Sequence, residues 1–232
     1  MRTAKPRLPA TSKSRRAPHK PAAGKRTPNS VGRPKAGSVT IEAQDAIANA
    51  ALPLFASMSF AAVSTKDIAA AAGLNTALIY YYFGSKDELF RRTVLIAAND
   101  AGQRFRALDP ASCGAGQFVS DWLSCHEAEF AIVARLLRIS MGYAAIPDRH
   151  QNVDDAIAGF HSDTRQMLRD ALARGVADKT FASIEVDLTV SFVATFLDGV
   201  YLRAIIFPDY DPKPEIDELR TFLDSRLRAT EG

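Results

Sequence analysis

The stretch Ser64-Thr65-Lys66-Asp67-Ile68-Ala69-Ala70-Ala71-Ala72-Gly73-Leu74-Asn75-Thr76-Ala77-Leu78-Ile79-Tyr80-Tyr81-Tyr82-Phe83 reads as two short helices around a glycine turn. Ser64 and Asp67 have the spacing of a capping box, the hydroxyl taking the free N–H three residues on and the carboxylate reaching back. Ile68, Ala69 and Ala72 share one apolar face, and the small alanines let a second helix cross closely. Gly73 suits a left-handed helix stop, Leu74 is expected to plug the corner, and Asn75 is a good N-cap. In the second helix Ile79 and Phe83 share a buried face. Tyr80, Tyr81 and Tyr82 are rotated about 100° from one another, so at least one must point outward.

A helix with a low-profile start of Asn75, Thr76 and Ala77 can enter a major groove, with hydroxyls on its flank reaching phosphates. The expected base readers are Thr76, Ala77, Leu78 and Tyr81. Thr65, Lys66, Tyr80, Tyr82 and Lys86 are the expected phosphate contacts, and Ser64 and Asn75 complete the DNA-binding set. The plainer reading is an αα-hairpin with its tyrosines at a partner interface.

The neighbours favour the first reading. Upstream, Ile41 to Ser57 is helical with apolar Ala48, Ala51, Leu52 and Phe55, followed by Phe60; downstream, Ser85-Lys86-Asp87-Glu88-Leu89-Phe90 opens another capped helix. Over about residues 40 to 95 the chain resembles the TetR family of bacterial transcriptional regulators: Asp-Ile-Ala in the second helix, Ala-Gly-Leu-Asn at the turn, Ile-Tyr-x-Tyr-Phe in the third, Ser-Lys-x-Glu-Leu at the fourth. The resemblance implies a helical C-terminal half that binds a small-molecule effector and dimerises, and a repressor released by that effector. One departure is Pro53, which removes the hydrogen bond to the Asn49 carbonyl at ~3 kcal/mol, so a kink or a 3₁₀ end is expected there.

The net charge of +3 hides an asymmetry. Residues 1–38 hold eleven Lys or Arg and no acid, leaving 18 of the 29 basic residues against all 26 acidic ones, a net of −8. That arm has almost no large apolar residues and is expected to be disordered in isolation. It contains Val31-Gly32-Arg33-Pro34-Lys35, similar to the Gly-Arg-Pro core of an AT-hook, which makes Arg33 a candidate minor-groove contact. With no apolar h-region a secretory signal is not expected, and the prolines argue against a transit peptide. A cytoplasmic location follows as the expectation.

From Ser85 onward the periodicity predicts helices over Ser85 to about Ala107, Gln117 to Glu129, Ala131 to Tyr143, Val153 to Arg174 ending at Gly175, Ile184 to Ile206 and Glu215 to Arg228. No segment shows sustained strand alternation. The fold class is all-α, with a basic arm at 1–38, a helix-turn-helix domain at 39–84 and an effector-binding and dimerisation domain at 85–232. Ile184 to Ile206 carries Val186, Val190, Phe192, Val193, Phe196, Leu197, Val200 and Tyr201 around more than one face, too much for one chain to cover, and Gly199 allows close approach. Asp198 and Arg203 exclude it as a membrane span, at ~2.5–3.5 kcal/mol each, leaving a buried helix. Paired with the last helix and their symmetry mates it would form a homodimer reading a palindromic operator.

Candidate apolar lining for the effector pocket is Phe105, Phe118, Trp122, Phe130, Leu137, Met141, Phe160, Met167 and Phe192; candidate polar contacts are His126, Arg135, His161 and Arg165. Ordinary core is the competing role for each. Cys113 and Cys125 match no metal spacing and are expected to be reduced. Catalysis is not expected: His126-Glu127 begins a zinc-protease-like pattern, but Phe130 stands where the second His is needed, and no metal or cofactor is implied. The remaining alternative is a non-specific architectural DNA-binding protein, supported by the basic arm and opposed by the large acidic helical half.

Overall fold

The computed structural model describes residues 36–228 and places nine α-helices among them. α1 (Ala36–Ser57) buries Ile47, Ala48, Ala51, Leu52 and Phe55, a stripe that repeats at one helical turn and packs on α2 (Thr65–Ala72), α3 (Thr76–Phe83) and α4 (Lys86–Arg106). α4 is the shared element. Its Leu89, Phe90 and Val94 are buried, Phe90 against Phe55 of α1, and the same helix continues along α5 (Ala115–Ala128), α6 (Phe130–Ala144) and α7 (Gln151–Ala177). α8 (Val186–Ile206) covers α6 and α7, and α9 (Lys213–Leu227) closes on α5 and α8. At the junction of α1 and α4 the rings of Phe55, Phe60 and Phe90 meet, with Phe55–Phe90 centroids 4.7 Å apart and Phe60–Phe90 5.0 Å apart. Aromatic contacts at that spacing contribute about 0.5–1.5 kcal/mol each beyond simple burial.

Three expectations are corrected by this packing. Beside them, α1 runs on as α-helix four residues past Pro53, without the 3₁₀ end, one of the two outcomes expected there. Pro53 and Asn49 both lie on the exposed side, where water can take the carbonyl that the proline leaves without a partner. Leu74 does not plug the corner between α2 and α3: its side chain is exposed, while its backbone N–H closes the end of α2 on the Ala69 carbonyl at 2.8 Å and Gly73 N–H bonds Ala70 at 3.2 Å.

Nor does Gly175 end α7. The helix passes through it to Ala177 and stops at Asp178 and Lys179, the latter at φ +63. The Phe181 ring occupies the space that a side chain at position 175 would need, and Phe181 N–H returns to the Gly175 carbonyl at 2.8 Å. The glycine there serves close ring-to-helix packing. Finally, α8 is buried on one face only. Val190, Val193, Leu197, Val200 and Tyr201 point inward, while Leu188, Phe192, Leu202 and Ile206 are exposed. Among the described residues α8 is the one helix long and apolar enough to cross a membrane.

Candidate nucleic-acid interface and interior cavity

The helix-turn-helix is set by short-range bonds. Ser64 Oγ accepts from Asp67 N–H at 3.1 Å and donates to the Asp67 carboxylate at 2.6 Å, while Ser64 N–H donates to the same carboxylate at 3.1 Å. These bonds from Ser64 hold the Asp67 carboxyl below its ordinary range. Gly73 sits at φ +65, where a glycine has no steric penalty. Asn75 Oδ1 then accepts from Ala77 N–H at 2.9 Å to start α3.

With Ile79 and Phe83 buried, the opposite side of α3 presents Ala77, Leu78, Tyr80 and Tyr81, with Thr76 and Tyr82 half-buried beside them. Tyr81 is 78% exposed, the largest exposure of any large apolar or aromatic side chain among the described residues. Tyr80 Oη lies 3.5 Å from Thr65 Oγ1, which brings the start of α2 and the flank of α3 into one hydroxyl-bearing surface, with Lys66 exposed on the same short helix. Tyr82 is held from behind, its carbonyl accepting from Gln44 Nε2 at 2.9 Å and its ring edge-on to Tyr81 at 5.1 Å. Ser64 and Asn75 spend their side chains on helix caps.

Lys86 takes a place the sequence did not suggest. Its ammonium donates to the carbonyls of Phe60 at 2.7 Å and Val63 at 2.9 Å and rests 4.2 Å over the Phe60 ring. Two of its three donors are thereby committed, which leaves one. Arg33 lies outside the described residues.

Deeper in the chain a cavity of about 310 Å³ opens between α5, α6, α7 and α8. That is the lower end of the range for small-molecule sites. Of the expected lining it brings together Trp122, His126, Leu137, Phe160, His161 and Arg165. Phe105 stands one layer back, packed on the rings of His126 at 4.6 Å and Phe160 at 6.0 Å. Phe118 is core beneath Arg174, Phe130 stacks on Tyr201 at 4.6 Å outside the cavity wall, and Met141 is exposed over a separate groove. Phe192 is exposed on the outer face of α8, and Met167 and Arg135 do not reach the cavity.

Sequence reasoning missed Thr164, Asp198 and Tyr201 as cavity residues. Tyr201 lies 2.8 Å from His126 Nδ1 through its hydroxyl, and Trp122 Nε1 donates to the Thr164 carbonyl at 3.1 Å. Burial lowers the His126 pKa to about 3, so the imidazole is neutral, and raises that of Tyr201. His161 is lowered too, by burial first, with Asp198 raising it and Arg165 lowering it. Cys125 is buried, its thiol pushed up to about 11 by desolvation and then by Glu129, and so unreactive. Both cysteines are unbridged, and among the described residues no group of three His, Cys, Asp or Glu side chains is placed to hold a metal ion.

Residues 47–93 match the family model described as bacterial regulatory proteins, tetR family. In solved structures the chain is similar to a TetR-family transcriptional regulator, PfmR, of Thermus thermophilus, at 24% identity and TM-score 0.58, covering 82% of this chain and 97% of that one. It is similar also to a regulatory protein of the tetR family from Rhodococcus, at 16% identity and TM-score 0.63, covering 82% and 99%. The fatty acid degradation regulator FadR of Bacillus halodurans gives 17% identity and TM-score 0.60, covering 78% and 93%. No curated protein matches the sequence. Residues 47–93 thus carry the helix-turn-helix that the tetR family model describes, and the chain shares the fold of these regulators along nearly their whole length.

Proposed function

We propose that the chain is a ligand-responsive repressor: a homodimer in the cytoplasm that binds a palindromic operator through residues 39–84 and is released by a small molecule held in 85–232. The observation that carries DNA binding is the face of α3, capped at its start and turned outward through Ala77, Leu78, Tyr80 and Tyr81. Dimerisation rests on Leu188, Phe192, Leu202 and Ile206 of α8 and Phe222 of α9, an exposed apolar surface in which Phe192 and Phe222 lie 5.2 Å apart and Gly199 leaves open space. Such a face is stable in water when a second copy covers it. It would set two recognition helices about 34–36 Å apart, one DNA turn.

Coupling follows from α4. At about 30 Å long, it carries Phe105 against the ring of His126 at one end and Phe90 against Phe55 and Phe60 at the other. A ligand that favours one tilt of this helix by ~1–3 kcal/mol suffices to regulate DNA binding. Selecting bound fragments from genomic DNA, followed by footprinting, tests the reading. A palindromic site occupied by two copies is expected. Failure to enrich any sequence would favour the architectural alternative, and a Phe192→Glu variant that remained dimeric would remove the α8–α9 interface.

A further inference from the structure

The outward face of α3 lacks every side chain that reads a base edge through two hydrogen bonds. Ile79 and Phe83 fix its buried side, so Ala77 and Tyr81, one turn apart, lie on the opposite line with Leu78 beside them. Thr76–Phe83 contains no Arg, Lys, Asn or Gln. Paired contacts to guanine need Arg or Lys, and those to adenine need the amide of Asn or Gln. Asn75, just ahead of the helix, spends its Oδ1 on Ala77 N–H at 2.9 Å, which turns that oxygen back onto the helix and away from an adenine edge. Of the neighbouring lysines, Lys86 is held by the Phe60 and Val63 carbonyls, and Lys66 stands on α2, the helix that crosses the DNA backbone in this motif.

What α3 does offer is aliphatic carbon and hydroxyls. Ala77 and Leu78 are exposed at its first turn, Tyr81 is 78% exposed, and Thr76 is half-buried beside them. A hydroxyl both donates and accepts, so a single bond from Thr76 or Tyr81 separates the bases weakly. Ala77 and Leu78 gain by leaving water only against another apolar group. The edges of the four base pairs in the major groove present one such group, the C5-methyl of thymine.

Resting on the reading of α3 as the recognition helix, we propose that Ala77 and Leu78 select the half-site by the C5-methyl groups of thymine, in place of paired hydrogen bonds to guanine or adenine. Neither side chain senses whether the pyrimidine carries an oxygen or an amino group beside that methyl. 5-Methylcytosine, which bears the same methyl, therefore substitutes for thymine at these positions, whereas uracil and cytosine do not. Each methyl buried in this way is worth about fourfold in affinity, the contribution of one buried carbon group.

The test uses the full chain and the tightest fragment selected from a random duplex pool, resynthesised with one position at a time changed in both half-sites. Uracil for thymine removes the methyl and leaves the hydrogen-bonding edges in both grooves unaltered. At a contacted position it is expected to weaken binding about sixteenfold, fourfold in each half-site. Cytosine there should weaken binding at least as much, and 5-methylcytosine should recover most of the loss. 7-Deazaguanine and 7-deazaadenine, which lack the N7 acceptor, should bind like the natural bases. Leu78→Ala, a change outside the buried core, should flatten the uracil effect at one position. The changes made on the DNA need no variant and stand if Leu78→Ala fails to fold. Selective binding that uracil leaves unmoved, or a larger loss from either deaza base than from uracil, would overturn the methyl readout and leave α3 as the recognition helix. Failure to enrich any fragment from the pool would overturn both.

Discussion

Lys86 Nζ donates to the Phe60 carbonyl at 2.7 Å and at the same time sits 4.2 Å over the Phe60 ring. The start of α4 is thereby fastened to the turn between α1 and α2, next to the helix-turn-helix. Lys86→Ala is expected to destabilise the protein by about 1.5–3 kcal/mol, the range for hydrogen bonds to a charged group. If its third donor reaches a phosphate, the same variant weakens all DNA sequences alike and flattens the salt slope by about 0.9. Thermal melting separates the two effects from a salt titration of operator binding. An unchanged slope would confine Lys86 to the clasp. Thr76→Ala, at the start of α3, is expected instead to relax preference at one base position.

Arg33 belongs to a stretch of eleven basic residues with no acid, ahead of the first described helix. Deleting residues 1–34 is expected to lower operator affinity and salt dependence, since each neutralised phosphate adds about −0.9 to the slope. Arg33→Ala should lose more affinity on operators with A·T flanks than on G·C flanks, because the narrow A·T minor groove concentrates negative potential. Arg15→Ala should not distinguish them. Equal losses for Arg33→Ala on both operators would make the arm a non-specific electrostatic tether.

His126 connects the cavity to pH. Its pKa falls from 6.5 to about 3 through burial, so below pH 6.5 the unfolded chain takes up a proton that the folded chain refuses. Stability that is full above pH 6.5 is therefore lost as the pH falls, by about 2 kcal/mol between pH 7 and pH 5 for this one group. His161 adds to the same trend. Comparing the pH dependence of denaturant unfolding for the native protein and His126→Phe isolates the His126 share. Parallel curves between pH 7 and pH 5 would show that the imidazole protonates in the folded state.

Gly175 gives a prediction whose sign runs against helix propensity. In an exposed helix interior, alanine is more favourable than glycine by roughly 0.8–1.0 kcal/mol. Here a Cβ would overlap the Phe181 ring, so Gly175→Ala should destabilise by about 1–3 kcal/mol, as overpacked cores do. Phe181→Ala in the same chain should remove that clash. A higher melting temperature for Gly175→Ala alone would show that the Phe181 ring moves aside freely.

Much of the DNA-binding half was legible because its determinants are local. Ser64 with Asp67, Gly73 with its turn and Asn75 with Ala77 each act over three residues or fewer, and their hydrogen bonds form as the pattern dictates. Helical periodicity likewise separated buried Ile79 and Phe83 from exposed Tyr81, and placed Trp122, His126, Phe160 and His161 within reach of a common interior. What only the tertiary structure decided are the contacts between residues far apart in the chain. α8 is apolar on two sides, and periodicity alone could not say that Tyr201 turns inward to His126 while Phe192 turns out, or that Met141 leaves the interior altogether. Lys86 finds its carbonyls 23 and 26 residues away, and Gly175 yields its space to a ring from beyond the end of its own helix. A side chain's spacing along a helix sets its direction from that axis, whereas the neighbour it meets depends on how the helices cross, which is a property of the packed core as a whole.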